Sequence, residues 1–379
     1  MKMYKAAIIG LGRIASTYDD EKTRGGMVLL PYAHAPAYTH SPYTKLVSGA
    51  DINKEQRNFF AQKWGLSINN TYSDYKDMLK KENPDIVSIC TSTRNRPDIL
   101  KYVAEFGVKA IWLEKPIAFN LKDADEMVEI CNRNNIVLAV NCSRRWNPMY
   151  SQARNIIESG HIGKILQINA IAECWISHNG SHLIDMVRFL ANSEVDWVIG
   201  DMESQLDAEN DKDFKANAYL AFKNGTRAFI RSMNSGGLPT SSWSFEVIGE
   251  KGRIRTPNDA QSWELTSFTT NSFPAEDNAF NSNNKHPINH QFPWPTHIQG
   301  TGLTIIEDII SSIENSHNPK CTGQDGIKAL EIAIAIRESF RNGHQKMNLP
   351  LKNRSLKIES RETINDELPA RIREQNKTK

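Results

Sequence analysis

The chain has 379 residues, enough for two domains that each bury a core. Its formal net charge is +2, and the aromatic residues are not interleaved with basic clusters, so nothing marks a nucleic-acid surface. The apolar run in MKMYKAAIIGLGRIAS is too short for a secretory signal and no later segment approaches membrane-spanning length, so a cytoplasmic protein with no nucleic-acid or membrane partner is expected. The five cysteines, Cys90, Cys131, Cys142, Cys174 and Cys321, are odd in number and widely spaced, which predicts reduced core thiols.

The first element is a strand over Ala6–Ile9, followed at once by Gly10, Gly12 and Ala15 in a G-x-G-x-x-A pattern. Each small residue has a use there: a tight turn, room for a backbone to approach a pyrophosphate, and close packing of helix on strand. Alone the hexapeptide is a weak signal. KLVSGAD predicts a second strand ending in Asp51, an acid that could accept hydrogen bonds from an adenosine ribose and repel a 2′-phosphate, so NAD is expected over NADP. The spacing from Gly12 to Asp51 is longer than the usual gap of about 20, and the residues between are read as an inserted loop followed by the start of the crossover helix.

Apolar runs then alternate with helices. EQRNFFAQKWG predicts an amphipathic helix stopped by Gly65, SDYKDMLKKENP a capped helix and DIVSICTST a buried strand; RPDILKYVAEFG is a helix, VKAIWLEKP a strand, LKDADEMVEICNRNN a helix behind Asn120, and IVLAVNC a strand. This order implies a parallel sheet covered on both faces, a doubly wound α/β domain over residues 1–144. Ligands of such sheets bind at the carboxyl ends of the strands. The expected cofactor contacts are therefore Gly10, Gly12, Arg13, Ile14, Ala15, Asp51, Thr91, Ser92, Glu114 and Lys115. Glu114 and Lys115 alternate across their strand and point to opposite faces, and Pro116 ends its pairing.

Beyond SRRWNPMY the pattern changes. A helix, SQARNIIESG, precedes strand-like segments KILQINAIAE, DWVIGDME, NAYLAFKNGTRAFIRSMN and SSWSFEVIGEKGRIRT, and Asn224-Gly225 is a strong hairpin signal. A second α+β domain with a largely antiparallel open sheet is expected over 145–350, one sheet face carrying helices and the other free to pair with a second subunit in a homodimer or homotetramer. Residues 257–300 are rich in Asn, Ser and Pro and are read as a long loop, whose Trp294 and His297 either border a pocket or pack on the surface. Two helices, LTIIEDIISSIENS and DGIKALEIAIAIRESFRNG, complete the domain, and a charged tail, 351–379, is expected to run over the surface or fray.

Lys115, His178 and His182 could handle a proton beside a nicotinamide. His182 begins the helical run HLIDMVRFL, and an imidazole of ordinary pKa near 6.5 suits a general base; a lone His at a helix start is otherwise a packing or capping residue. His178, His182 and Glu173 could be a metal set, but Gly180 interrupts a common helical face, and no metal is expected. Arg144 and Arg145 either hold an anionic group or pair at the domain junction.

In combination, AAIIGLGRIA, DIVSICTST, EKPIAFNLKDADEMV, VNCSRRWNP, IIESGHIGKI, NGSHLIDMVRFL, EVIGEKGRI and GQDGIKALEIAIAIRESFRNG resemble the Gfo/Idh/MocA oxidoreductases over about positions 1–350. The resemblance implies a Rossmann domain, a second domain on a largely antiparallel sheet, and hydride exchange at a secondary alcohol or ketone of a sugar, polyol or sugar nucleotide. It makes Lys115 and His182 the catalytic pair, with Lys115-Pro116 in the cis form, and subunits pairing through the open sheet. The chain departs from the family's usual pattern at Ser92, where a proline is usual, at Arg96, near which a histidine is usual, and at His178, which stands where an aspartate precedes the catalytic histidine. Substrate contacts are expected from Arg145, His178 and Asn179, and the arginines hint at an anionic substrate. Two other activities are compatible with the resemblance: transient oxidation that permits glycosidic elimination, and a non-catalytic dinucleotide-binding sensor.

Overall fold

The structure is a computed structural model that describes residues 2–21, 28–233, 243–270 and 285–359. Six short strands, β1 (Tyr4–Ile9), β2 (Thr44–Ala50), β3 (Thr71–Tyr72), β4 (Ile86–Ile89), β5 (Ala110–Leu113) and β6 (Val137–Val140), form an all-parallel sheet in the order β3-β2-β1-β4-β5-β6. The apolar runs Ile86–Ile89 and Ala110–Leu113 are buried on every residue, because helices cover both sheet faces. The order reverses direction beside β1, so the cleft at the carboxyl ends of β1 and β4 is the switch point where an open α/β sheet receives a ligand. Local chemistry ends the helices where expected: Gly65 closes Lys54–Trp64 at φ +64° and Asp74 caps Tyr75–Glu82.

The second sheet has nine strands: β7 (Ile165–Glu173), β8 (Val195–Met202), β9 (Ala216–Phe222), β10 (Arg227–Met233), β11 (Ser244–Gly249), β12 (Gly252–Thr256), β13 (Glu264–Thr270), β14 (Lys285–His290) and β15 (Met347–Asn348). Pairing is antiparallel throughout except between β7 and β10. Asn224-Gly225 does turn the β9–β10 hairpin, with Ala221 opposite Arg227. One face packs on the helices Gly180–Ala191 and Gly323–Arg341. The opposite face leaves Leu166, Ile171 and Phe229 exposed at 40–48%.

Two stretches, 257–300 and the charged tail, differ from expectation, while the segment between Gly12 and Asp51 keeps the expected helix before the second strand. Residues 257–300 are not one long loop: β13 and β14 pair through Leu265↔His290 to Thr270↔Lys285 and extend the sheet edge. Their polar, proline-bearing composition hides the alternation because an edge ladder tolerates Pro287 and exposed polar side chains; residues 271–284 lie outside the described residues. The segment between Gly12 and Asp51 contains the helix His34–His40, whose Ala35 and Ala37 are buried, and Gly302 N–H donates to Pro31 O at 2.9 Å. The segment's described residues bring Tyr18 and Tyr32 to the cleft. The charged segment after Leu351 is docked as far as Glu359, with Ile358 fully buried and Ile358 N–H donating to Phe119 O at 2.8 Å. Its charges are consumed in pairing: Arg354 holds Asp125 with two 2.7 Å hydrogen bonds and also contacts Glu331. Residues 360–379 lie outside the described residues.

Candidate active site

The cleft at the switch point has a volume of about 480 Å³ and is lined from both domains. Gly10, two residues before the cleft-lining Gly12, has φ +84°, and a Cβ there would lie 2.9 Å from the backbone of Cys90 and Thr91. Only glycine satisfies that conformation and that contact. Gly12 is different: a Cβ there would meet no protein atom within 4 Å, so the bare backbone leaves room for a ligand. Ile14 and Arg13 line the cleft beside it, Arg13 pairing with Glu21 at 2.8 Å and lying over the Tyr18 ring, and Ala15 is buried beneath. On the β4 side are Thr91, Ser92 and Thr93; Thr91 Oγ1 is buried with no hydrogen-bond partner. A glycine turn with open space above it, in a cleft that Thr91 and Ser92 also line, fits a dinucleotide.

Asp51 ends up beside the glycine turn despite the long spacing. Its Oδ2 accepts the Leu11 N–H at 2.8 Å and its Oδ1 the Asn53 N–H at 2.8 Å. The intervening residues fold back as the turn Tyr18–Glu21 and the helix His34–His40, so strand order and the position of the acid are preserved.

Glu114 and Lys115 diverge as alternation requires. Glu114 is buried; its Oε1 lies 3.2 Å from His34 Nε2 and accepts from Asn141. Burial opposes ionisation, but the hydrogen bond to His34 and the charge of Lys115 outweigh it, and the carboxyl is pulled down to about 2. The His34 ring lies tilted against Trp112 with centroids 3.7 Å apart, and its Nδ1 reaches Ser88 Oγ at 2.8 Å. Lys115 follows a strand end and precedes Pro116 through a cis peptide bond. Its Nζ donates to Asn179 Oδ1 at 3.1 Å across the domain boundary. Burial lowers the Lys115 pKa and the Glu114 charge partly restores it.

Asn179 and His178 sit in the turn before the helix Gly180–Ala191, and His182 lies in that helix's first turn. His178 is half-buried and brought down to about 3, chiefly by the Lys115 charge and then by burial. His182 is buried, its pKa driven well below the ordinary value by desolvation and then by Arg144 and Lys115, and its Nδ1 has no hydrogen-bond partner. The structure thus brings together Lys115, His178, Asn179 and His182 around one cavity.

Arg145 does not join them. Its guanidinium holds Asp185 with hydrogen bonds of 2.8 and 2.7 Å and Asp325 at 3.0 Å, a buried network under the helix Gly180–Ala191 that leaves no face for a substrate. Arg144 is held by Asp259 at 2.9 and 2.6 Å and lies 3.9 Å over Trp243. Arg96 reaches the cleft wall, where it donates to Pro116 O and, at 2.6 Å, to Thr91 O. The junction reading of the arginine pair therefore holds, and these arginines give no direct argument for an anionic substrate. Trp294 and His297 are exposed and outside the cleft. Among the described residues, His178, His182 and Glu173 form no three-ligand cluster; the one such group, Cys142, Asp185 and Cys321, has its carboxylate engaged by Arg145 and Arg188. The cysteines are free thiols.

Tyr18, Tyr32, His34 and Asn141 also stand in or beside the site and carry no clear signal in the sequence. Tyr32 OH lies 2.6 Å from Ser143 Oγ at the cleft, and Asp19 fixes that segment by accepting the Tyr32 and Ala33 N–H groups at 2.9 Å each. The available signal was apolar spacing in HAPAYTH, which is short and interrupted by proline.

Two models of one oxidoreductase family match the chain: its NAD-binding Rossmann fold over residues 4–142 and its C-terminal alpha/beta domain over 169–349. The chain is 23% identical to a myo-inositol 2-dehydrogenase of Thermotoga maritima, covering 89% of this chain and 96% of that one. It is 25% identical to a scyllo-inositol 2-dehydrogenase (NAD(+)) of Bacillus subtilis, with 89% and 94% covered. An inositol dehydrogenase homolog from Azotobacter vinelandii, solved with NADH and myo-inositol, superposes with a TM-score of 0.71 at 15% identity over 92% of this chain and 98% of that one. With an NAD-binding Rossmann domain and the matching C-terminal domain together spanning most of its length, the chain belongs to the Gfo/Idh/MocA oxidoreductase family.

Proposed function

We propose that the protein is an NAD-dependent dehydrogenase that exchanges hydride at a secondary alcohol or ketone of a polyol or sugar, with inositols as the first class to try. The observation that carries this reading is the convergence of Lys115, Asn179 and His182 in a cleft that also holds the open backbone at Gly12 and is lined by Thr91 and Ser92. The names of the inositol dehydrogenases it resembles support the substrate class.

When bound, the nicotinamide supplies the hydride acceptor. The protein's own groups handle the proton and the charge. His182 is kept neutral by burial and neighbouring cations, so its imidazole can take the hydroxyl proton without first losing one. Lys115, whose Nζ is already oriented by Asn179, donates to the same oxygen as its charge develops. Glu114 balances the Lys115 charge from the other side of the strand and is held by His34 and Asn141. His178 presents a second neutral ring toward substrate hydroxyls, in place of a carboxylate.

The Asp51 carboxylate beside Leu11 supports NAD over NADP, since it would accept ribose hydroxyls and repel a 2′-phosphate. Titrating the protein's fluorescence with NADH and NADPH tests this: NADH binds more tightly if Asp51 is the ribose ligand, and NADPH preference contradicts it. The uncovered face of the nine-stranded sheet supports pairing of two copies of the chain.

A further inference from the structure

Asp213 lies in the connection between β8 and β9 and is fully buried, yet no step assigned to the cleft uses it. Its Oδ1 accepts the N–H of Ser177 at 2.8 Å and of Phe214 at 3.0 Å, and its Oδ2 accepts the N–H of His178 at 2.8 Å. A second tie runs alongside, from Ile176 N–H to Phe214 O at 2.9 Å. A buried carboxylate is costly unless its oxygens are satisfied, and here they hold two consecutive peptide groups of one turn.

That turn carries the cleft's second-domain side chains. His178 projects from it, Asn179 follows and accepts from Lys115 Nζ at 3.1 Å, and His182 N–H returns to Asn179 O at 3.0 Å. Ser181 Oγ donates to His178 O at 2.8 Å, closing the turn onto the helix. Asp213 is itself moored on its far side: its N–H donates to Glu359 O at 3.0 Å, and Glu359 N–H to Asp211 O at 2.7 Å. The docked segment 351–359 thus backs the carboxylate that backs the turn.

From this chain of contacts we infer that Asp213 is a positioning residue for the active site, setting the height of the His178–Asn179 turn and, through Asn179, the direction of the Lys115 ammonium. The role rests on the proposed use of Lys115 and His182; the geometry of the turn does not. An aspartate fits where an asparagine would not, because the amide nitrogen of Asn would face at least one of the three N–H donors.

The test is Asp213→Asn in the full chain, read by NMR of histidine Cε1–H resonances, with His178 and His182 assigned from their single substitutions. The expected result is displacement of the His178 and His182 resonances while those of the exposed His40 and His161 stay in place. NADH binding should stay within about threefold of the parent, and kcat with myo-inositol as probe should fall at least about tenfold with a smaller change in KM. Unmoved His178 and His182 resonances in a folded variant would overturn the inference and leave Asp213 a structural anchor only. Should Asp213→Asn fail to fold, Asp213→Glu, which keeps the charge and shifts it by one methylene, is read by the same criterion. If the parent chain oxidises no inositol or aldose of a panel, the functional reading is what fails, and the histidine spectra still decide the role of Asp213.

Discussion

His178 carries the clearest consequence at the scale of a single residue. Its ring is held down at about 3 against an ordinary value of 6.5, chiefly by Lys115. Between those values an unfolded chain binds a proton there and the folded one does not, so stability falls as pH drops through that window. Glu114, pulled from 4.5 to about 2, has the complementary effect: its stabilisation is complete above pH 4.5 and is lost toward pH 2. Replacing His178 by Asn should therefore flatten the decline of Tm between pH 6.5 and 4.5, where Glu114 contributes a constant amount. Thermal melts of both proteins across that range measure it; parallel curves would show that the ring titrates normally. Much of this site was legible because the chemistry is local. Gly10, Gly12, Lys115 and His182 stand next to a strand end or a helix start that the sequence announces. Asp213 and His34 were not legible, since their partners lie 35 and 80 residues away and no local pattern encodes such contacts. Arg145 was misleading for a related reason: an arginine in a junction sequence looks the same whether its partner is a ligand or a buried Asp185.

Among the elements, the segment 351–359 is the one whose role inverts on folding. Highly charged and without periodicity, it reads as solvated, yet Arg354 links Asp125 of the helix Leu121–Arg133 to Glu331 of the helix Gly323–Arg341. Glu331 is buried and also accepts the Leu351 N–H at 3.0 Å. Arg354→Ala should destabilise the protein by roughly 1–3 kcal/mol, because it leaves a buried carboxylate short of a donor. Combining it with Glu331→Gln should recover part of that loss in urea unfolding; full additivity of the two changes would contradict the linkage. Strands β13 and β14 escaped notice for the opposite reason, since an edge ladder is built from backbone pairing and asks little of its side chains.

At the level of the whole molecule, the cleft joins the carboxyl ends of the parallel strands to the turn before the helix Gly180–Ala191, while the second sheet keeps an open face. Leu166, Ile171 and Phe229 on that face predict self-association. Phe229→Asp should convert the assembly to monomer in light scattering coupled to size exclusion while leaving NADH binding nearly unchanged; an unaltered mass would place the interface elsewhere. The two-domain α/β architecture was readable from alternating apolar runs and one hairpin signal, because sheet type follows from periodicity. How the domains close on each other was not readable, because it depends on contacts such as Lys115 with Asn179 that only the folded chain brings together.

Lys115 is the group proposed to stabilise charge at the reacting oxygen. The measurement that tests it most directly is the initial rate of NADH formation from NAD across a panel of inositols and aldoses, in the parent and in Lys115→Met, alongside an NADH titration of each. The prediction is turnover of at least one polyol by the parent, a fall of at least about 100-fold in the variant, and NADH affinity within about threefold. Equal rates in the two proteins would contradict it.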